Sequence, residues 1–318
     1  MDIVLIGAGN MSVAYAKAFQ AAHLEFRCFG RGEASARNFE QQTMVPAGTG
    51  PLEDQLAATS IDGAKVIVAV NVGELSDVCH RLLDAGAAMI LVEKPGGVDL
   101  DDMRTLATAD VENRIRLAYN RRFLKSTQKA ADIIAEDGGV QTIHFEFTEL
   151  PDRIEALGVH PPEVLANFAY ANSSHVFDMA FYLGLSADDL SDVTVSGAVR
   201  QGEISWHPEG SRFASCGTIG NNALYSCFAD WRSGGNWSVE ITTAHRRLRL
   251  KPLETLTQQL RETFAIEEIP LERDQTGLKP GLPDMVRNFL YDDGSKMPTM
   301  QQQVKRMQVF ARILARPV

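Results

Sequence analysis

The sequence predicts two joined architectures: a doubly wound α/β domain built on a parallel sheet, then an α+β domain with a large, mostly antiparallel open sheet. Three observations carry this. Short, near-continuous apolar runs alternate with helical patterns up to about residue 118, as strands buried between two helix layers require. A G-A-G turn separates the first apolar run from the first helical pattern. Beyond about Leu124 the runs alternate apolar and polar residues, the pattern of strands covered on one side only. Domains are therefore expected at 1–118 and 119–318.

Met1 to Ile6 is a β-branched run suited to a buried parallel strand. After the glycines, Met11, Ala14, Tyr15, Ala18 and Phe19 recur at helical spacing and form one apolar face. Strand, glycine turn and helix in that order lift a glycine motif above noise. Gly7 permits the tight turn, and Gly9 lets the backbone approach a pyrophosphate at the helix N-terminus. The third glycine of G-x-G-x-x-G is replaced by Ser12. Serine is small enough for the helix–strand packing that glycine serves, and its hydroxyl is within reach of a phosphate. Gly7, Gly9, Asn10, Met11 and Ser12 are thus the expected dinucleotide contacts; an ordinary strand–helix turn is the alternative. The next run, "EFRCF", ends at Gly30-Arg31, where an NAD site ordinarily carries an acid for the ribose 2′-hydroxyl. Arg31 suits a 2′-phosphate instead, which favours NADP with NAD still open. A solvated turn arginine is the other reading.

"AKVIVAVN" (64–71) and "AMILVEKP" (88–95) read as two more buried strands. Between them the helix "ELSDVCHRLLDAG" stops at Gly86, a natural C-cap. "RIRLAYNRRF" (114–123) adds a further strand. Ligands of such sheets bind beyond the carboxyl ends of the strands, which brings in Asn71, Glu93 and Lys94, and Tyr119-Asn120-Arg121. A lysine there can hydrogen-bond a substrate oxygen and move its proton, and Glu93 can orient it. An exposed loop lysine is the plain alternative.

In the second domain, "STQKAADIIAEDGG" (126–139) is an amphipathic helix closed by two glycines. "QTIHFEFTE" (141–149) puts Ile143, Phe145 and Phe147 on one face and His144, Glu146 and Thr148 on the other. "ALYSCFADW", "WSVEITT" and "RRLRLKP" read as further strands, with "WRSGGNW" as a hairpin turn between the first two. In "FAYANSSHVFDMAFYL" (168–183), Val176, Met179, Ala180 and Leu183 mark a helix for which Asn172, Ser173 and Ser174 are candidate N-caps. His175 and Asp178, three apart, share a face of that helix. The pair reads as a proton carrier beside a carboxylate, or as a capping histidine beside a structural acid. Val304, Met307, Phe310 and Leu314 form a closing helical stripe.

The chain of 318 residues is 45% hydrophobic and 23% charged, ordinary for a globular protein with a sizeable core. Its net charge of −10 argues against nucleic-acid and membrane-surface roles. No apolar run reaches a membrane span, and "IVLIG" lacks the flanks of a signal peptide. Cys28 and Cys227 sit in apolar runs and read as buried thiols, and no C-x-x-C spacing occurs. A reducing cytoplasm is the expected setting. No metal ligand set and no G-x-S-x-G elbow is present.

Taken together, "VLIGAGNMS", "AVNVGELSDVCHRLLDAGAAMILVEKP", "YNRRF", "SSHVFDMAFYL", "GLPDMVRNFL" and "MPTMQQQVKRMQVF" resemble, in order, the Gfo/Idh/MocA oxidoreductases over nearly the whole chain. This is the family of glucose–fructose oxidoreductase and inositol dehydrogenase. The resemblance implies a Rossmann domain followed by an α/β domain with an open antiparallel sheet. It also implies NAD(P)-dependent chemistry on a sugar, cyclitol or related secondary alcohol. The uncovered face of the predicted antiparallel sheet separately points to a homodimer or homotetramer formed through that face. It assigns Lys94, the E-K-P lysine, contact with substrate and nicotinamide and a part in proton transfer. His175 falls on the histidine of the family's D-x-x-x-H motif. Ala171 stands where that motif has aspartate, and Asn172, one residue on, is the candidate to take over substrate binding. A second departure is Gly96-Gly97, whose extra backbone freedom is expected to reshape the pocket floor. The N-S-S-H form is similar to a subgroup associated with surface polysaccharides and acidic sugars. Arg121 and Arg122, with Lys125, then offer charge for a substrate carboxylate or phosphate, or one of them pairs with a neighbouring acid. Reduction of a dihydrodiol- or biliverdin-type substrate is an alternative, as is a non-catalytic cofactor-sensing regulator; the retained Lys94 and His175 speak for an enzyme.

Overall fold

Four consecutive apolar residues leave the first strand no side to give to solvent, and all four are buried. Such a strand belongs inside a sheet covered on both faces. The computed structural model describes residues 1–185, 190–220, 222–272 and 277–316, and it places the strand there. The strands β1 (Ile3–Ile6), β2 (Arg27–Phe29), β3 (Ala47–Gly48), β4 (Lys65–Val68), β5 (Met89–Val92) and β6 (Ile115–Leu117) form one parallel sheet. Their order is β3-β2-β1-β4-β5-β6. The chain's direction of winding reverses between β1 and β4, the crevice where doubly wound sheets take nucleotides. Helices α1 (Asn10–Ala21), α2 (Glu33–Thr43), α3 (Leu52–Ala58), α4 (Leu75–Asp84) and α5 (Leu100–Ala109) make the connections.

By contact density the chain divides into two compact units, Met1–Asn120 with Asp274–Val304, and Arg121–Arg273 with Lys305–Val318. The sequence reading had grouped 274–304 with the second domain. What draws it to the first is visible at Lys65: its Nζ donates to the carbonyls of Phe289 (3.3 Å) and Leu290 (3.0 Å) and pairs with Asp293 at 2.7 Å. A cation thereby sits on the negative C-terminal end of a late helix.

In the second unit, α6 (Lys125–Glu136) precedes the central strand β7 (Thr142–Phe147). The short helices α7 (Pro151–Leu157) and α8 (Pro162–Ala166) lead to α9 (Ser174–Gly184). The remaining strands are β8 (Thr194–Gln201), β9 (Arg212–Ile219), β10 (Ala223–Asp230), β11 (Trp237–Thr242), β12 (Arg246–Leu250), β13 (Thr257–Leu260) and β14 (Glu267–Glu268). They form one sheet in the order β14-β13-β12-β11-β7-β10-β9-β8. Every pair is antiparallel except β7 with β10, which is parallel. The late helices are α10 (Leu282–Tyr291), which carries the two carbonyls on Lys65, and α11 (Met300–Ile313).

This order corrects one expectation. "WRSGGNW" is not a hairpin turn, because β7 lies between β10 and β11. The segment crosses the end of β7, where a Cβ on Gly235 would come within 2.0 Å of Glu146 Oε1 and 2.7 Å of Thr148 Oγ1. The glycine is there for close approach rather than for a turn.

The core of the second unit is aromatic. Ile143, Phe145 and Phe147 of β7 are buried as the alternation requires, and Phe147 meets Phe177 of α9 edge-on at 4.6 Å between ring centres. Phe310 of α11 adds a second edge contact to Phe177 at 5.0 Å. Edge-to-face pairs of this kind add about 0.5–1.5 kcal/mol to the burial itself. Asp178 is equally buried and belongs to this frame: Arg122 donates to it through Nε (2.7 Å) and Nη2 (2.5 Å), and Arg306 through Nε at 3.2 Å. All three side chains are closed to solvent. Of the two readings left open, the structural one describes Asp178, and Arg122 pairs with this acid.

Candidate active site

In the first unit, the glycine turn lies at the carboxyl end of β1. Gly7 takes φ +109°, and a Cβ there would meet the Ala69 carbonyl oxygen at 2.3 Å. Nothing lies within 4 Å of the Cβ position of Gly9, so the approach to the start of α1 is open. Asn10 is exposed, and Met11 is half-buried with its sulfur 2.9 Å from Lys279 Nζ. The first turn of α1 carries no acid and no side-chain cap. Its N–H groups and positive dipole end are uncompensated from within, which fits the pyrophosphate of a dinucleotide.

Ser12 departs from one expectation. It is fully buried, and its hydroxyl donates to the Ala69 carbonyl at 3.4 Å rather than facing the turn's open side. Serine does the packing work of the missing glycine. Arg31 follows β2, is largely exposed, and pairs with Glu74. Asn71 is exposed beyond the end of β4, and its carbonyl accepts from Glu74 N–H at 2.9 Å.

Glu93 and Lys94 extend past β5, both half-buried. Sequence reasoning missed what anchors Glu93: Tyr15 of α1, fully buried, donates its phenol to Glu93 Oε1 at 2.8 Å. Burial, then the charge of Glu93, pushes the phenol pKa well above its ordinary value, so the group stays a donor. The Lys94–Pro95 peptide is cis. Gln303 Nε2 donates to the Pro95 carbonyl and to the Tyr119 hydroxyl, both at 3.0 Å. Gly96 and Gly97 are both closely packed. A Cβ on Gly96 (φ +96°) would meet Leu117 Cδ1 at 2.9 Å, and one on Gly97 would meet Asp102 Oδ2 at 2.6 Å. Their glycines serve tight packing behind Lys94.

The second unit gathers Arg121, Asn172 and His175 around Trp237. The Arg121 guanidinium stands 5.9 Å from the Trp237 ring centre, a cation–π distance. The buried His175 ring lies 6.2 Å from the same indole. The expected N-caps of α9 are absent for a physical reason. A π-helical turn, Ala169–Ser173, runs straight into α9, so no side chain caps its first N–H groups. The side chains of Asn172 and Ser173 are instead turned to Glu149, just beyond β7. A cavity of about 210 Å³ opens beside them, lined by Thr148, Glu149, Asn172, Trp237, Arg153 and His160 among others. Glu149, Trp237 and the α7 segment had no assigned role in the sequence. The one signal was an acid ending an alternating strand just before a Pro-initiated helix. Single π turns of this kind recur at functional sites.

No protein-family model and no curated protein matches this chain. Solved structures do. UDP-N-acetylglucosamine 3-dehydrogenase from Acidithiobacillus ferrooxidans superposes with a TM-score of 0.75 at 16% identity, covering 99% of this chain and 97% of that one. Levoglucosan dehydrogenase, in complex with NADH and levoglucosan, gives 0.78 at 16%, covering 99% and 96%. An oxidoreductase from Agrobacterium radiobacter, in complex with NAD+, L-tartaric acid and magnesium, gives 0.78 at 15%, covering 99% and 96%. The fold is that of these dehydrogenases. Identity of this order carries the architecture; the chemistry has to be argued from the residues.

Proposed function

We propose that the chain is a nicotinamide-dependent oxidoreductase of the Gfo/Idh/MocA type acting on a sugar-like secondary alcohol or the matching carbonyl. One observation carries the reading. A lysine, Lys94, stands at the carboxyl end of β5, on the same edge of the parallel sheet as the open Gly7–Gly9 turn. Full-length likeness to dehydrogenases supports it.

Gly7, Gly9, Asn10 and Met11 hold the pyrophosphate on backbone N–H groups, and Asn71 and Glu93 line the same edge. Arg31 gives the site its NADP preference by exchanging Glu74 for a ribose 2′-phosphate, with NAD the weaker partner. The bound nicotinamide supplies the hydride acceptor or donor. Lys94 Nζ hydrogen-bonds the substrate oxygen and moves its proton, and His175 serves as a proton carrier. Arg121 and Asn172 bind substrate. Four unbridged cysteines support a reducing, cytoplasmic setting, and a second copy of this chain covers the open face of the eight-stranded sheet.

Replacing Lys94 tests the core of this reading. Lys94→Ala should lower turnover by about 10²-fold or more, the usual worth of a positioned proton carrier, while coenzyme affinity measured by nicotinamide fluorescence stays within a few-fold. Unchanged turnover would remove Lys94 from the chemistry.

A further inference from the structure

The π turn Ala169–Ser173 is gripped from two sides. Toward β7, Asn172 and Ser173 donate to Glu149. The second grip comes from Arg316, three residues past α11. Its guanidinium stands 4.6 Å from the Tyr170 ring centre, and its Nη1 donates to Asn167 Oδ1 at 3.2 Å. The Asn167 carbonyl in turn accepts from the Tyr170 and Ala171 N–H groups, both at 2.9 Å. Arg316 therefore holds both a residue within the turn and the residue on which the turn is built. Phe168, between Asn167 and the turn, meets Trp206 edge-on at 5.6 Å.

Arg316 is itself fixed. Ala315 takes φ +52°, and the Arg316 N–H closes on the Ala311 carbonyl at 2.8 Å, a stop that folds the chain back on α11. α11 packs on α9 through Phe310 and Phe177. The Arg316 side chain is 12% exposed, and Glu209 Oε2, which Arg200 also engages, lies 3.5 Å from its Nε. A guanidinium buried to this degree stays in place only with such partners.

We propose that Arg316 is a positioning residue: it fixes the register of the π turn and, through the turn, the facing of Asn172 and His175. The kinetic consequence rests on the oxidoreductase reading above; the geometric one does not. A π turn carries one residue more between its bonded ends than an α turn. Relaxing it to an α turn would rotate the side chains on one side of it by about 100° relative to those on the other. Asn172 would then leave Glu149, and the His175 ring would leave its place 6.2 Å from the Trp237 ring. Arginine suits the task because its planar fork bonds Asn167 while its charge lies over the Tyr170 ring, a pairing that lysine reproduces only in part.

Arg316→Met keeps much of the packing and removes both the charge and the fork. The readout is the imidazole proton resonance of His175, which the ring current of Trp237 makes sensitive to small movements. His144, on the other face of β7, is the control. The two signals are assigned by their loss in His175→Gln and His144→Gln. In Arg316→Met of the full chain the His175 signal should move by more than its width, and the His144 signal should stay. Arg316→Lys keeps a charge over Tyr170 without the fork, and should move the His175 signal less, in the same direction. With coenzyme and the substrate that the wild type uses best, kcat in Arg316→Met should fall about tenfold, within the usual cost of a small misplacement, with coenzyme affinity held within about twofold. An unmoved His175 signal in Arg316→Met, or in Arg316→Lys should the first not fold, overturns the proposal. Equal movement of the His144 signal marks general loosening and overturns it too. A moved His175 signal with wild-type kcat overturns the link from the turn to the chemistry. A wild type that turns over no substrate removes the oxidoreductase reading, and the His175 signal still decides the role of Arg316.

Discussion

Tyr15 was legible in the sequence as one position of an apolar helical stripe, and it is buried as that stripe requires. Its hydroxyl was not legible, because the partner, Glu93, is 78 residues away and the contact exists only once α1 packs on the sheet. The same holds for Glu149 and Asn172: neither residue type nor spacing announces that an amide will hold a carboxylate 23 residues upstream. Local chemistry can be read from local sequence, but pairings across elements need the fold. At this scale Tyr15→Phe is the informative change. It preserves the ring and withdraws the donor from a half-buried carboxylate, at a cost of about 1–2 kcal/mol. Chemical denaturation should report that loss, and kcat should fall because Glu93 adjoins Lys94. Wild-type values of both would show that Glu93 is held by other contacts.

Among the elements, those with a strong period and a physical stop were legible. β1, β4, β5, α4 with its stop before Gly86, and α6 before Gly138-Gly139 all lie where the pattern placed them. β8 was not, since "TVSGAVRQ" has small and polar residues without apolar alternation and is mostly exposed. Neighbour relations were not legible either, because strand order depends on contacts far apart in sequence; hence the misreading of "WRSGGNW". The sheet's open face carries the next prediction. Val199 on β8, and Leu224 and Phe228 on β10, are 50%, 58% and 40% exposed. Beside them His144 Nδ1 and Ser226 Oγ share a hydrogen bond at 2.9 Å. An apolar surface on an otherwise satisfied sheet suits burial against a second copy. Light scattering should give a multiple of the single-chain mass, and Phe228→Glu should reduce it toward one chain with the fold intact. A single-chain mass for the wild type would contradict the proposal.

For the whole molecule, likeness to dehydrogenases extends over 99% of the chain at 15–16% identity, so the architecture persists where little of the sequence does. In this chain the positions expected to serve the site have local physical reasons: Gly7 lies under the Ala69 carbonyl, the Cβ position of Gly9 is open, and Gly96 and Gly97 are closely packed after Lys94-Pro95. The most direct measurement is nicotinamide reduction by the purified chain, with NADP and NAD in parallel, across uncharged sugars, uronic acids, cyclitols and amino sugars. Turnover with one of these substrates, faster with NADP, is the predicted result. Tight NADPH binding with no turnover on any of these substrates would contradict the enzyme and point to a cofactor sensor.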